Sequence, residues 1–167
     1  MRYTQSNHTN KIFGNASYDI ASGAKLLTSG NANIQNVSGQ GGVTHSNGAL
    51  SLAGNNQSFT GIFDIQSGNV SFIDDAVNSY VAGETKLANT ATLEYTAQEI
   101  SKLTNVSGSG TVKYVGNSAF TFNESENTNF AGNFVVAGKN ATVQGLDGAT
   151  GFKYNTLISG AASDYNY

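Results

Sequence analysis

The stretch Asn36-Val37-Ser38-Gly39-Gln40-Gly41-Gly42-Val43 returns almost intact as Asn105-Val106-Ser107-Gly108-Ser109-Gly110-Thr111-Val112, 69 residues later. A second stretch, Phe59-Thr60-Gly61-Ile62-Phe63-Asp64-Ile65, is matched by Phe130-Ala131-Gly132-Asn133-Phe134-Val135-Val136, 71 residues later. Two words in the same order at nearly the same spacing indicate internal repetition, the signature of a stacked architecture. A third word, Gly48-Ala49-Leu50-Ser51-Leu52-Ala53-Gly54-Asn55, resembles Gly110-Thr111-Val112-Lys113-Tyr114-Val115-Gly116-Asn117 at an offset of 62, so a single alignment has to slip. With the first two words in register, Ala119 to Asn127 reads as extra sequence looped out of the second copy.

The words are short strands with corners between them. Leu50 and Leu52, Phe63 and Ile65, Val70 and Phe72, Leu93 and Tyr95, Val112 and Tyr114, Phe120 and Phe122, and Phe134 and Val136 all alternate with small or polar residues. That is the period of a strand with one buried face. Ser46-Asn47-Gly48, Gly54-Asn55-Asn56 and Gly116-Asn117-Ser118 punctuate these runs as turns. The chain contains no proline, which would remove a ladder donor. The one helical candidate, Ala97 to Leu103, is too short to carry a fold. The expected fold is all-β, a right-handed parallel β-helix with coils of roughly 20 residues, near the short end of known repeat lengths. An antiparallel β-sandwich is the alternative that the same alternation allows.

Composition excludes several functions. Charged residues are 11% of the 167, against about 25% in an average domain. Such low charge with abundant Gly, Asn, Ser and Thr would suit a disordered tail, but 38% of the residues are hydrophobic and they alternate. Lys and Arg total 8, Arg2 is the only arginine and the net charge is −3, so no basic stripe exists for a phosphate backbone. Polybasic docking to a membrane surface fails for the same reason. With no cysteine there is no disulfide framework, no thiol chemistry and no thiolate zinc site. No apolar run reaches the roughly 18 residues of a membrane span. The first residues, Met1 to Asn7, lack the apolar centre of a signal peptide, so a secreted parent implies a removed signal or an internal piece.

The word Asn105 to Val112, together with Gly54-Asn55-Asn56-Gln57-Ser58-Phe59-Thr60-Gly61, resembles the passenger domains of type V autotransporters. Those passengers share a loose theme: a strand ending in Ser-Gly-x-Gly, a strand ending in Gly-Asn-Asn, a Phe-x-Gly strand, then an Ala/Ser-Gly-x-Leu strand. Ile65-Gln66-Ser67-Gly68-Asn69-Val70 fits the last element with Val for Leu. The resemblance covers about residues 23 to 145 and implies a right-handed parallel β-helix, export to the cell surface, and often adhesion or self-association. It departs after Gly145, where the residues fit the theme badly, and no series of amphipathic strands of a membrane barrel follows. The expected organisation is one domain over 1–167, a piece of a longer passenger, with 1–22 and 146–167 irregular or capping.

Residues capable of chemistry are few. His45, in Val43-Thr44-His45-Ser46-Asn47-Gly48, would need a serine and an aspartate to form a triad; it reads instead as a surface histidine at a turn or strand end. Asp74 and Asp75 would point to opposite faces of a strand. Glu124 and Glu126 would share a face, as glycosidase carboxylates must converge, but they fall in the apparent insertion and read as a solvated loop. Asn123-Glu124-Ser125-Glu126-Asn127 offers calcium-type ligands without the Gly-x-Asp repeat of calcium-binding rolls. Asn-x-Ser/Thr sequons begin at Asn7, Asn15, Asn36, Asn56, Asn69, Asn105, Asn123 and Asn140, and read as corner and surface residues of the fold. The aromatics at alternate strand positions read as core.

No catalytic, metal or cofactor-binding residue is assigned, no cofactor is expected, and the chain is not expected to be an enzyme. The expected function is an extracellular surface structural and adhesion module. Its partners would be a host or neighbouring-cell protein or glycan, or another copy of the chain, with no nucleic acid and no membrane span. The expected location is secreted, on a bacterial cell surface. Alternatives are a self-assembling extracellular fibre subunit and, behind it, a carbohydrate-active enzyme resting on the carboxylates alone.

Overall fold

The structure is a computed structural model that describes residues 2–3, 8–9, 16–73, 81–95, 103–116, 119–138, 142–144 and 155–158. In chain order the strands are β1 (Arg2–Tyr3), β2 (His8–Thr9), β3 (Ala16–Ile20), β4 (Lys25–Thr28), β5 (Ala32–Gly39), β6 (Gly42–His45), β7 (Ala49–Leu52), β8 (Ile62–Ile65) and β9 (Gly68–Phe72). They continue as β10 (Glu84–Leu87), β11 (Ala91–Tyr95), β12 (Val106–Gly108), β13 (Thr111–Tyr114), β14 (Ala119–Thr121), β15 (Asn133–Val136), β16 (Thr142–Gln144) and β17 (Asn155–Ile158). One 3₁₀ turn, Glu124–Glu126, is the helical content of the described residues. The helical candidate at Ala97 to Leu103 falls mostly outside them.

Odd-numbered strands form a nine-stranded sheet and β2 to β12 a six-stranded one, while β14 pairs with β16. Strands two apart in sequence pair in parallel throughout. This is a parallel β-helix, and the antiparallel sandwich is ruled out. A coil runs through three sides. On the first lie the start of β5, then β7, β9, β11, β13, β15 and β17. On the second lies the end of β5, which pairs with β3 and bridges Phe59 through Gly39. The third side is the six-stranded sheet. One coil advances the chain by as few as 17 residues, from Lys25 to its partner Gly42, and as many as 23, from Asn69 to Thr92.

The ladder explains why the repeats resist a single alignment. Ala49 pairs with Asn69, Asn69 with Thr92, and Thr92 with Thr111, so the offset of 62 is the stacked register over three coils. The words at 69 and 71 are not stacked. Val43 lies on β6 of the third side, whereas its counterpart Val112 lies on β13 of the first. Their offset exceeds three coils by one side. The sequence repeats a corner, and the chain uses it at two different places on the coil.

That corner is the same object twice. Asn56 is fully buried; its Oδ1 accepts from the Val37 amide at 2.7 Å and its Nδ2 donates to the Ala53 carbonyl at 3.2 Å. Asn127 Oδ1 accepts from the Val106 amide at 2.9 Å, and Nδ2 donates to the carbonyls of Leu103 at 3.1 Å and Asn123 at 2.8 Å. In each case the Phe three residues on donates its amide to the Asn carbonyl at 3.0 Å, closing a turn, and buries its ring. Two residues later comes a glycine, Gly61 or Gly132, where a Cβ would strike the carbonyl oxygen of Gly41 or Gly110 in the coil before. A buried amide left unpaired costs about 1–3 kcal/mol. The asparagine fastens one coil to the previous one by removing that cost.

Inside, like positions stack. Ile34, Leu52, Phe72, Tyr95, Tyr114 and Val136 form one inward column, and Leu50, Val70, Leu93, Val112 and Phe134 another. Ring contacts run along the axis from Phe63 to Phe72 to Tyr95 to Phe120, with Phe120 stacked on Tyr114 at 4.5 Å. Fully burying one such ring contributes roughly 1.5–3 kcal/mol, so the aromatics read as core are core. Phe120 and Phe122 are fully buried, and β14 carries a side of the coil. Ala119 to Asn127 is therefore not a looped-out insertion.

Candidate functional site

His45 is not a surface residue. It ends β6 with its side chain inside the coil, fully buried, stacked between Thr28 and Ile65. Its Nδ1 lies 2.9 Å from Thr28 Oγ1, and its Nε2 lies 3.3 Å from the Gly48 carbonyl. Burial lowers the ring's pKa below 6.5, against a smaller opposing effect of the Gly48 carbonyl. With Nε2 donating to Gly48 and Nδ1 accepting from Thr28, the neutral ring is satisfied. Two residues after inward Val43, His45 falls on the inward parity of its strand, a signal of burial that the reading of a surface histidine passes over.

Asp74 and Asp75 lie outside the described residues. Glu124 and Glu126 bracket the 3₁₀ turn, and Glu126 Oε2 accepts from Asn123 Nδ2 at 2.9 Å. Among the described residues no group of three His, Asp or Glu could hold a metal ion. The sequons are read differently residue by residue. Asn56 is fully buried, so no glycan fits on it in the folded chain. Asn36 receives the Asn55 amide at 2.8 Å and donates to Ser17 Oγ at 2.9 Å, as a corner residue does. Asn105 holds a positive φ of 60° and donates to the Ala82 carbonyl.

What remains is the lateral surface. On the first side two outward columns run along the axis: Ala49, Asn69, Thr92, Thr111 and Asn133, beside Ser51, Ser71, Glu94, Lys113 and Val135. Side chains stand at the strand spacing of about 4.8 Å. Lys113 Nζ meets Glu94 Oε2 across one coil step at 2.9 Å. On the third side the outward columns are Lys25, Gly42, Ile62 and Glu84, and Leu27, Thr44, Asp64 and Lys86. Between β4 and β8 the small residues Gly42 and Thr44 leave a trough. Its corner end encloses about 540 Å³, lined by Gln40, Gly41, Thr60 and Ile62 among others. Its far end encloses about 360 Å³ and reaches Ser46 and Gln66. The trough was not visible in the sequence, because Gly42 sits in a Gly-Gly pair that reads as a corner.

Comparison with family models, with curated proteins and with solved structures gives no match for this chain. No helix among the described residues is long and apolar enough to cross a membrane.

Proposed function

We propose that the chain is a structural and adhesion module displayed outside a bacterial cell, of the autotransporter-passenger type, acting by surface contact and not by catalysis. One observation carries the reading: on the first side inward positions are taken by stacked hydrophobic side chains, while outward positions form columns of mostly uncharged polar residues, interrupted by the Glu94–Lys113 pair. Such columns repeat one contact at each coil, and linked weak contacts gain strength by effective concentration without any single tight site. Low charge leaves little long-range repulsion between neighbouring surfaces. The partner is a protein or glycan on a host or neighbouring cell, or a second copy of the chain.

The test is display of the chain on an otherwise non-adherent bacterium, with settling of the culture and attachment to cell monolayers as readouts. The reading expects a gain in at least one. Display at full surface density with no gain in either removes it.

A further inference from the structure

Gly42 has no structural need to be glycine. Its neighbours Gly41 and Gly61 cannot take a Cβ, which would strike the backbone of the adjoining coil. Gly48 and Gly68 hold positive φ angles of 83° and 85°. At Gly42 the φ is not positive, and a Cβ would meet Lys25 Cγ at 3.5 Å and the Ile62 carbonyl oxygen at 3.8 Å, ordinary contacts. Glycine inside a strand costs about 0.5–1 kcal/mol relative to alanine. A strand glycine marks a bulge, a tight bend, or the close approach of a ligand or another backbone; at Gly42 the ladder is unbroken and no backbone atom crowds it. Here it opens the floor of the trough.

The trough follows β6 from Gly42 to His45, about 10 Å at 3.3 Å per residue, and opens onto the corners at Gln40 and Ser46, between walls about 10 Å apart, two strand spacings. Its larger end, about 540 Å³, lies within the usual range of ligand pockets, about 300–1,000 Å³. The backbone of β6 is already paired on both sides, with β4 and β8. An extended peptide laid along it would find no open strand edge to join. Hydroxyl groups both donate and accept, and Gln40, Thr44, Thr60, Asp64 and Gln66 present both kinds of group to the trough. The charges nearly balance: Lys25 and Asp64 both line the trough, one register step apart on opposite walls, and Lys86 lies 3.9 Å from Glu84. Ile62, 44% exposed, offers an apolar surface to the C–H face of a sugar ring.

We infer that the trough along β6 binds a linear, uncharged oligosaccharide. The inference rests on the adhesion reading for its biological setting and names the ligand class for it. The experiment titrates the purified chain with hexasaccharides of β-1,4-, β-1,3- and α-1,4-linked glucose. The comparison arms are a Ser/Thr-rich hexapeptide and a sulfated hexasaccharide. Amide signals of Gly42, Thr44 and Asp64 and the side-chain amides of Gln40 and Gln66 report occupancy. At least one uncharged sugar shifts these signals. Gly42→Tyr then weakens binding at least tenfold while melting no lower than the parent, and Thr44→Tyr serves the same purpose if the first variant does not fold. The inference is overturned if no uncharged sugar shifts the trough signals, if the peptide or the sulfated sugar binds in its place, or if a folded trough variant binds unchanged. Displayed cells separate the two readings. Adhesion that survives Gly42→Tyr removes the trough and leaves the adhesion module. Sugar binding by a chain that confers no adhesion does the reverse.

Discussion

Replacing Asn56 by alanine tests the corner that the sequence repeats. The substitution removes the acceptor of the Val37 amide, 2.7 Å away, and the donor to the Ala53 carbonyl, in a position with no solvent exposure. An unpaired buried amide costs about 1–3 kcal/mol, and a lost ordinary hydrogen bond adds about 1. The expected loss is therefore about 3 kcal/mol. At about 2–4 °C per kcal/mol for a domain of this size, the melting temperature falls by about 6–12 °C. Asn55 is the internal control: it is exposed, and among the described residues its Oδ1 accepts the Gln57 amide alone, at 3.1 Å. Asn55→Ala is expected within about 0.5 kcal/mol of the parent, as for most surface changes. Asn56→Asp separates pairing from volume, since it keeps the acceptor but sets a carboxylate oxygen against the Ala53 carbonyl at neutral pH. Urea and thermal melts followed by circular dichroism give the stabilities, and hydrogen exchange at the Val37 amide gives the local effect. Equal stabilities for the Asn56 and Asn55 variants would refute the reasoning.

Other expectations follow from the same structure. His45 is held neutral by burial, with its folded pKa below 6.5. Above about pH 6.5 both states are neutral and the group has no effect, whereas below it the unfolded chain takes up the proton first and stability falls until the folded pKa is reached. Stability measured from pH 8 to pH 5 should therefore decline less in His45→Gln, and identical profiles would contradict the assignment. Gly48→Ala meets a positive φ and the backbone of Gly30, and is expected to cost more than about 2 kcal/mol in urea melts. Gly42→Ala, by contrast, should be neutral or stabilising by about 0.5–1 kcal/mol. Phe120→Ala removes a ring stacked on Tyr114 and Phe134 and should cost about 3–5 kcal/mol, a loss that a looped-out insertion would not suffer.

Much of the architecture was legible because a β-helix writes its geometry into short-range pattern. Period-two alternation placed Leu50, Leu52, Phe63, Ile65, Phe134 and Val136 inside, and Gly and Asn marked the corners. The stacking register was harder to see. A corner such as Asn-x-x-Phe-x-Gly is a local structure that suits more than one side of the coil, so matching Phe59 with Phe130 found the same corner and not the same column. The weaker word at offset 62 held the register because inward residues at Leu50 and Val112 must fit the same column of the core. His45 was misplaced because a histidine suggests the surface by composition, while its parity with Val43 placed it inside. The trough depends on what stands beside Gly42 one coil away in each direction, Lys25 and Ile62, and those neighbours are 17 and 20 residues distant in sequence.

The parallel, in-register stacking of coils is the central claim, and a chain without cysteine permits a direct test of it. Thr92 and Thr111 are outward partners on adjacent coils, 19 residues apart. At a strand spacing of about 4.8 Å their Cα atoms lie within the roughly 4.4–6.8 Å that a disulfide spans. The doubly substituted Thr92→Cys, Thr111→Cys chain, oxidised and read by mass spectrometry of its proteolytic fragments, should form an intramolecular disulfide in the folded protein. Failure to form that bond in the folded monomer, under conditions where both thiols react freely with an alkylating reagent, would contradict the stack.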